Sequence, residues 1–143
     1  MEKILISACL IGDKVNYLGK SNYHPLIEQL LEKYELVPFC PEVEGGLSIP
    51  RSPSEQHGGK VINSKGKDVT VNFVKGADLA YNICLYLNIK IAIFKERSPS
   101  CGVHHIYDGS FSNKLIEGMG VTASLLKRKG IAVYSEDEIA ALL

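Results

Sequence analysis

Residues 70–102 read TVNFVKGADLAYNICLYLNIKIAIFKERSPSCG, and the change of period inside this stretch decides the fold. Phe73, Ala77, Ala80, Cys84 and Leu87 recur at gaps of four, three, four and three, drawing one apolar stripe down a helix of about five turns. Ile89 to Phe94 drops that period and is the most strand-like run in the chain. Glu96-Arg97-Ser98-Pro99-Ser100-Cys101-Gly102 then follows, rich in turn formers. A helix that feeds a buried strand ending in such a loop is a unit of α/β architecture, in which ligands bind beyond the strand ends.

The same pattern lies upstream. Ile4 to Ala8 is a short apolar run between Lys3 and Gly12, expected to be a buried strand that ends at Cys9. Pro25 suits the first turn of a helix of about ten residues carrying Leu26, Leu30 and Tyr34. Leu36 to Phe39 is a second strand, cut off by Cys40-Pro41. Strand, helix and strand in that order imply parallel pairing through a right-handed crossover. Residues 40–59 hold Pro41, Pro50, Pro53 and four glycines, so an ordered functional loop without regular structure is expected there.

Downstream of that loop, Lys60 to Ile62 and Lys67 to Val69 are expected to pair as a small hairpin. Past the opening stretch, Ile106-Tyr107-Asp108-Gly109 marks a turn, and Val121 to Lys129 is a helix closed by Gly130. Ile131 to Tyr134 is a last strand, and Ser135 with Glu138 forms a capping box for a closing helix through Leu142. The expected architecture is α/β: an open, mainly parallel sheet with flanking helices and a ligand site at the strand carboxyl ends. One domain over residues 1–143 accommodates it, with no repeat and no linker.

At 143 residues the chain can bury a core without disulfide staples. Sixteen basic and 16 acidic residues cancel, and no cationic stripe exists to grip duplex nucleic acid. A free base or nucleoside needs no such field. No run approaches the roughly 20 apolar residues of a membrane span. The start MEKILISACLIG reads as a strand rather than a signal peptide, so a cytoplasmic protein without a membrane partner is expected. A reducing compartment argues against disulfides among the four cysteines.

Cys84 falls on the helix stripe and is expected in the core. Cys9, Cys40 and Cys101 each lie at or just past the end of a strand, and parallel pairing brings three such ends to one sheet edge. Three chemistries remain open at this point. The thiols can be unrelated loop residues, they can bind zinc with His57, His104 or His105 as fourth ligand, or they can hold a four-iron cluster with one iron left open. Spacing does not choose among them.

Several groups nearby have both a chemical reading and a plain structural one. Glu42, two residues after Cys40, can carry a proton. Ser98 and Ser100 can bond a ligand or cap their turn. Arg51 and Arg97 can hold an anion or face water. Gly118 and Gly120, ahead of the Val121 helix, can leave N–H groups for a phosphate.

Four segments, taken together, resemble a known family. They are Cys9-Leu10-Ile11-Gly12; Cys40-Pro41-Glu42 with Gly45-Gly46-Leu47 and Pro50-Arg51; Gly66-Lys67-Asp68-Val69-Thr70 leading to Gly76-Ala77; and Ser98-Pro99-Ser100-Cys101-Gly102 with Ile106-Tyr107-Asp108-Gly109 and Gly118-Met119-Gly120-Val121. The family is a small bacterial and archaeal one, long described as a conserved domain of unknown function, whose characterised members are thiouracil desulfurases. The resemblance spans essentially the whole chain.

It implies a [4Fe-4S] cluster bound by Cys9, Cys40 and Cys101, whose remaining iron accepts the thiocarbonyl sulfur of a 2-thiouracil-like base. It also implies that Glu42 and Ser98 are catalytic and that a small thiolated pyrimidine or nucleoside is the partner. Asn16, Arg51, Ser100, Gly118 and Gly120 are then the expected substrate or anion contacts. Asn16-Tyr17 stands where many relatives carry an Arg-Tyr pair, a departure that removes one cationic contact. The rival expectation is a non-enzymatic iron–sulfur or zinc protein acting as a sensor.

Overall fold

The computed structural model describes residues 1–143. Four parallel strands form the main sheet in the order β2-β1-β5-β8: β1 Glu2–Ser7, β2 Tyr34–Phe39, β5 Ile91–Phe94 and β8 Ala132–Ser135. Ile4 pairs with Leu36 on one side and Ile91 on the other, which makes β1 a central strand. Ile4, Leu5 and Ile6 are wholly buried, so the strand reads as an unbroken apolar run rather than an alternating one.

Successive side chains leave opposite faces of the sheet, and each face has its own core. Leu5, Ala92 and Phe94 pack with Ala80 and Cys84 of α3 (Thr70–Leu87) and with Ala123 and Leu126 of α4 (Val121–Arg128). Ile4, Ile6 and Ile93 pack with Ile27 and Leu30 of α1 (Ile27–Leu31) and with Ile139 of a terminal 3₁₀ segment, Glu136–Leu142. Cys84 is buried in the first of these cores, as its stripe position requires. Because all four strands run the same way, Ser7, Phe39, Phe94 and Ser135 end at one edge. No helix is long and apolar enough to cross a membrane.

The structure departs from the sequence expectations in local detail. α1 has five residues rather than ten, because Tyr34 already begins β2; its hydroxyl donates to the Leu142 carbonyl at 2.9 Å. Pro41–Glu44 forms a short helix, α2, inside the stretch expected to lack regular structure, with Pro41 at its first position. Gly76 lets α3 meet this helix, since a Cβ there would collide with the Pro41 carbonyl.

Lys60–Asn63 (β4) does meet residues 67–69 as expected, through the antiparallel bridge Ile62–Asp68 and the bonds from the Asn63 N–H to the Lys67 carbonyl and from the Val69 N–H to the Val61 carbonyl, both 2.9 Å. Its longer ladder is with Ser54–His57 (β3) around Gly58-Gly59. A second hairpin, β6 (His105–Tyr107) with β7 (Leu115–Glu117), had no clear sequence signal. The capping box at Ser135 and Glu138 is present, although the segment it opens is 3₁₀ rather than α.

Candidate active site at the carboxyl edge of the sheet

Cys9, Cys40 and Cys101 line one cavity of about 520 Å³ beyond the strand ends. Cys9 sits in the 3₁₀ turn Ala8–Ile11 that closes β1. Cys40 is the extended residue between β2 and α2. Cys101 lies in a tight turn closed by the bond from the Gly102 N–H to the Ser98 carbonyl at 2.8 Å. All four cysteines of the chain are free thiols.

Burial pushes all three cavity thiols above their ordinary range. For Cys9, an Asn22 side-chain bond and the charge of Lys95 oppose the burial, while Cys40 adds to it. For Cys40, the Val43 N–H opposes it and Glu42 adds to it. Cys101 is raised furthest, by burial above all; a Ser7 bond opposes, and Cys40, Glu42 and Cys9 each add. These mutual effects place the three thiols in one electrostatic neighbourhood. Cys84 is raised to about 11 by burial alone and has no part in it.

The donor set is sulfur. No three His, Cys, Asp or Glu side chains form a group able to hold a single metal ion. The zinc alternative also loses its fourth ligand: His57, His104 and His105 do not line the cavity, and His104 bonds Glu138 at 2.7 Å instead. Three soft thiols from three separate loops, spread around a roomy cavity, fit a four-iron cluster in which each binds a different iron.

Glu42 projects from the first turn of α2 into the same cavity. Its Oε1 accepts from Arg51 Nε at 3.1 Å and its Oε2 from Ser98 Oγ at 3.4 Å. Arg51 also donates through Nη2 to the Val15 carbonyl at 2.9 Å and through Nη1 to the Ser48 carbonyl at 3.2 Å. Expected to contact substrate or an anion, Arg51 thus holds the protein's own carboxylate. Ser98 Oγ in turn accepts the N–H groups of Ser100 at 3.1 Å and Cys101 at 3.0 Å. Ser98 therefore caps the cysteine turn and donates to Glu42.

Three expected contacts lie elsewhere. Ser100 is fully buried and its hydroxyl bonds Thr122 of α4 at 2.8 Å, so it braces the loop from behind. The Gly118 N–H goes to the His104 carbonyl at 3.1 Å and the Gly120 N–H to the Gly102 carbonyl at 2.7 Å. Val121, Thr122 and Ala123 donate to the Pro99 and Ser100 carbonyls. The positive end of α4 is thereby taken up by the Cys101 loop itself, leaving no N–H there for a phosphate. Asn16 does line the cavity, but its Oδ1 is engaged by the N–H groups of Leu18 at 3.0 Å and Lys20 at 2.8 Å.

Sequence reasoning missed Glu96. This buried carboxylate accepts from the N–H groups of Val103 at 2.8 Å, His104 at 2.9 Å, His105 at 3.0 Å and Arg97 at 3.3 Å. Burial works to raise its pKa, but these backbone bonds outweigh it and the net shift is downward. Glu96 thus gathers the loop that carries Cys101. An acidic residue within two positions of a buried strand's end was the available signal.

The family model for 2-thiouracil desulfurases matches residues 4–138. An uncharacterized protein of Bacillus subtilis (strain 168), YbbK, is 40% identical to the chain, over 98% of this chain and 99% of its own length. The solved structure of a [4Fe-4S]-dependent thiouracil desulfidase, TudS, superposes with a TM-score of 0.94 at 44% identity, covering 99% of this chain and 95% of that one.

Proposed function

The chain belongs to the 2-thiouracil desulfurase family, and from its site we propose that it replaces the thiocarbonyl sulfur of a thiolated pyrimidine base or nucleoside with oxygen. Cys9, Cys40 and Cys101 would hold the [4Fe-4S] cluster. The observation that carries this proposal is the sharing of one cavity by three strand-end thiols and a carboxylate fixed by Arg51 and Ser98.

When bound, the cluster supplies an iron without a cysteine ligand, a Lewis acid matched to soft thiocarbonyl sulfur. The net change is hydrolytic: C=S and water give C=O and hydrogen sulfide, with no electrons gained or lost. The protein must therefore move protons. The water oxygen has to lose both of its protons to become the carbonyl, and the departing sulfur has to gain two to leave as hydrogen sulfide. Glu42 is the carboxylate held for this task, with Arg51 fixing its orientation and Ser98 joining it to the turn of Cys101. A sensor that only binds a metal or cluster has no use for this arrangement.

The test is incubation of the anaerobically reconstituted chain with 2-thiouracil, 4-thiouracil and the matching nucleosides. Loss of thiobase with equimolar uracil (or uridine) and sulfide is the expected result. An intact cluster that turns over none of them would overturn the proposal.

A further inference from the structure

The loop joining β6 to β7 runs against backbone preference. Gly109, Phe111 and Asn113 all take positive φ, at 94°, 56° and 61°. For an aromatic residue this region is uncommon, and something must hold it there. Glu55 of β3 does so: its Oε1 accepts the N–H of Gly109 at 3.0 Å and of Phe111 at 3.1 Å. Gly109 also presses so closely on β3 that a Cβ would lie 2.6 Å from the Gln56 carbonyl oxygen.

The consequence falls on the cavity. Phe111 lines it together with Glu42 and the three thiols, yet remains 40% exposed, a large apolar ring that no other part of the chain covers completely. A single exposed aromatic residue is ordinary on a protein surface. One pinned in an unfavourable backbone conformation at the wall of a substrate cavity is not. The Glu42 carboxylate and the Asn16 amide N–H groups offer bonds to the edge of a flat ring, whereas its faces need an apolar surface.

We propose that Phe111 is the stacking surface for the pyrimidine ring and that Glu55 is the positioning residue that holds it there. The inference rests on the pyrimidine substrate proposed above. Thiolated substrate and oxo product present the same ring face, so stacking stabilises bound substrate and transition state alike. Its loss therefore raises KM and spares kcat, the opposite of what a proton-transfer residue does.

The test uses the cluster-loaded protein, with calorimetric titration of uracil as the binding readout and 2-thiouracil kinetics beside it. Phe111→Ala is expected to weaken uracil binding and raise KM by about 5- to 100-fold, with kcat changed by no more than about twofold. Phe111→Tyr should restore both. Glu55→Ala should shift binding the same way, and Glu55→Gln, which keeps a carbonyl acceptor, should recover it. Uracil binding by Phe111→Ala equal to that of the native chain, with KM unchanged, overturns the stacking role while leaving the desulfurase reading intact. A native chain that neither binds uracil nor consumes a thiobase overturns both.

Discussion

Arg51 donates from Nε to Oε1 of Glu42 at 3.1 Å, and the side chains of this ion pair are only 7% and 16% exposed. The same arginine reaches the Val15 carbonyl through Nη2, and its backbone N–H reaches the Tyr17 carbonyl at 2.9 Å. One residue therefore ties the carboxylate of α2 to the segment that carries Asn16 and Tyr17 along the cavity wall.

Removing one partner of such a pair leaves an uncompensated charge with little access to water, at a cost of about 3 kcal/mol or more. Arg51→Met is expected to lose that much stability in urea unfolding. Arg51→Lys keeps the charge but not the planar fork that serves Glu42, Val15 and Ser48 together. It should keep the cluster yet turn over at least ~10-fold more slowly, given what misplaced catalytic groups cost. Native turnover in Arg51→Lys would show that Glu42 needs no such support.

Glu96 gives a pH-dependent prediction. Its folded pKa lies below the ordinary carboxylate value, so its stabilising effect is complete above that value and is lost as pH falls through the lowered one. Glu96→Gln should destabilise the chain by about 1–3 kcal/mol near neutral pH, because backbone donors lose a charged acceptor. The stability gap between native and variant should narrow on acidification below the carboxylate range. A gap that stays constant in urea titrations across that range contradicts the assignment.

Gly120 is where α4 meets the Cys101 loop, and a Cβ there would collide with the Ser100 carbonyl. Gly120→Ala is expected to cost about 1–3 kcal/mol and to reduce iron loading, since the turn bearing Cys101 must shift. At Gly118 the nearest contact is the Ile106 side chain at 3.1 Å, which can yield, so Gly118→Ala should be milder. Thermal unfolding with iron analysis checks both, and equal behaviour of the two variants contradicts the account.

The cysteines divide cleanly. After anaerobic reconstitution the native chain should carry about four iron and four sulfide. Cys101→Ala should lose both, whereas Cys84→Ala should keep them and cost only a few kcal/mol of core packing at most. Stoichiometric zinc without iron in the native protein would contradict the ligand assignment.

The parallel sheet was legible because its central strands, β1 and β5, are buried and stand out as apolar runs leading to Cys9 and the Cys101 loop, while the half-buried edge strand β2 still shows a short apolar run cut off at Cys40. Meeting of the three thiols followed from parallel pairing alone, without a local motif. The Arg51–Glu42 bond was not legible, since the eight residues between them run from the end of α2 through an irregular loop, and an arginine near a site suggests an external anion as readily as an internal one. Glu96 was hidden for a similar reason: its partners are backbone N–H groups, which have no residue-type signal. Gly118 and Gly120 misled because a helix N-terminus attracts acceptors of any origin, and here the acceptors are the carbonyls of Gly102, Pro99 and Ser100. Phe111 reaches the cavity only through the β6–β7 hairpin, whose strands are three residues each and too short for a periodic signal.

The central claim is that the thiols hold the cluster while Glu42 moves the proton, and Glu42→Gln separates the two most directly. The substitution keeps the side chain's size and one carbonyl acceptor but removes its capacity as a base. Uracil release from 2-thiouracil should be measured for native and Glu42→Gln proteins with matched iron and sulfide content. General acid–base help is typically worth ~10²–10⁴-fold, so a loss of at least ~100-fold at unchanged cluster content is expected. Native-like turnover with the cluster intact would mean that Glu42 is not the group that moves the proton.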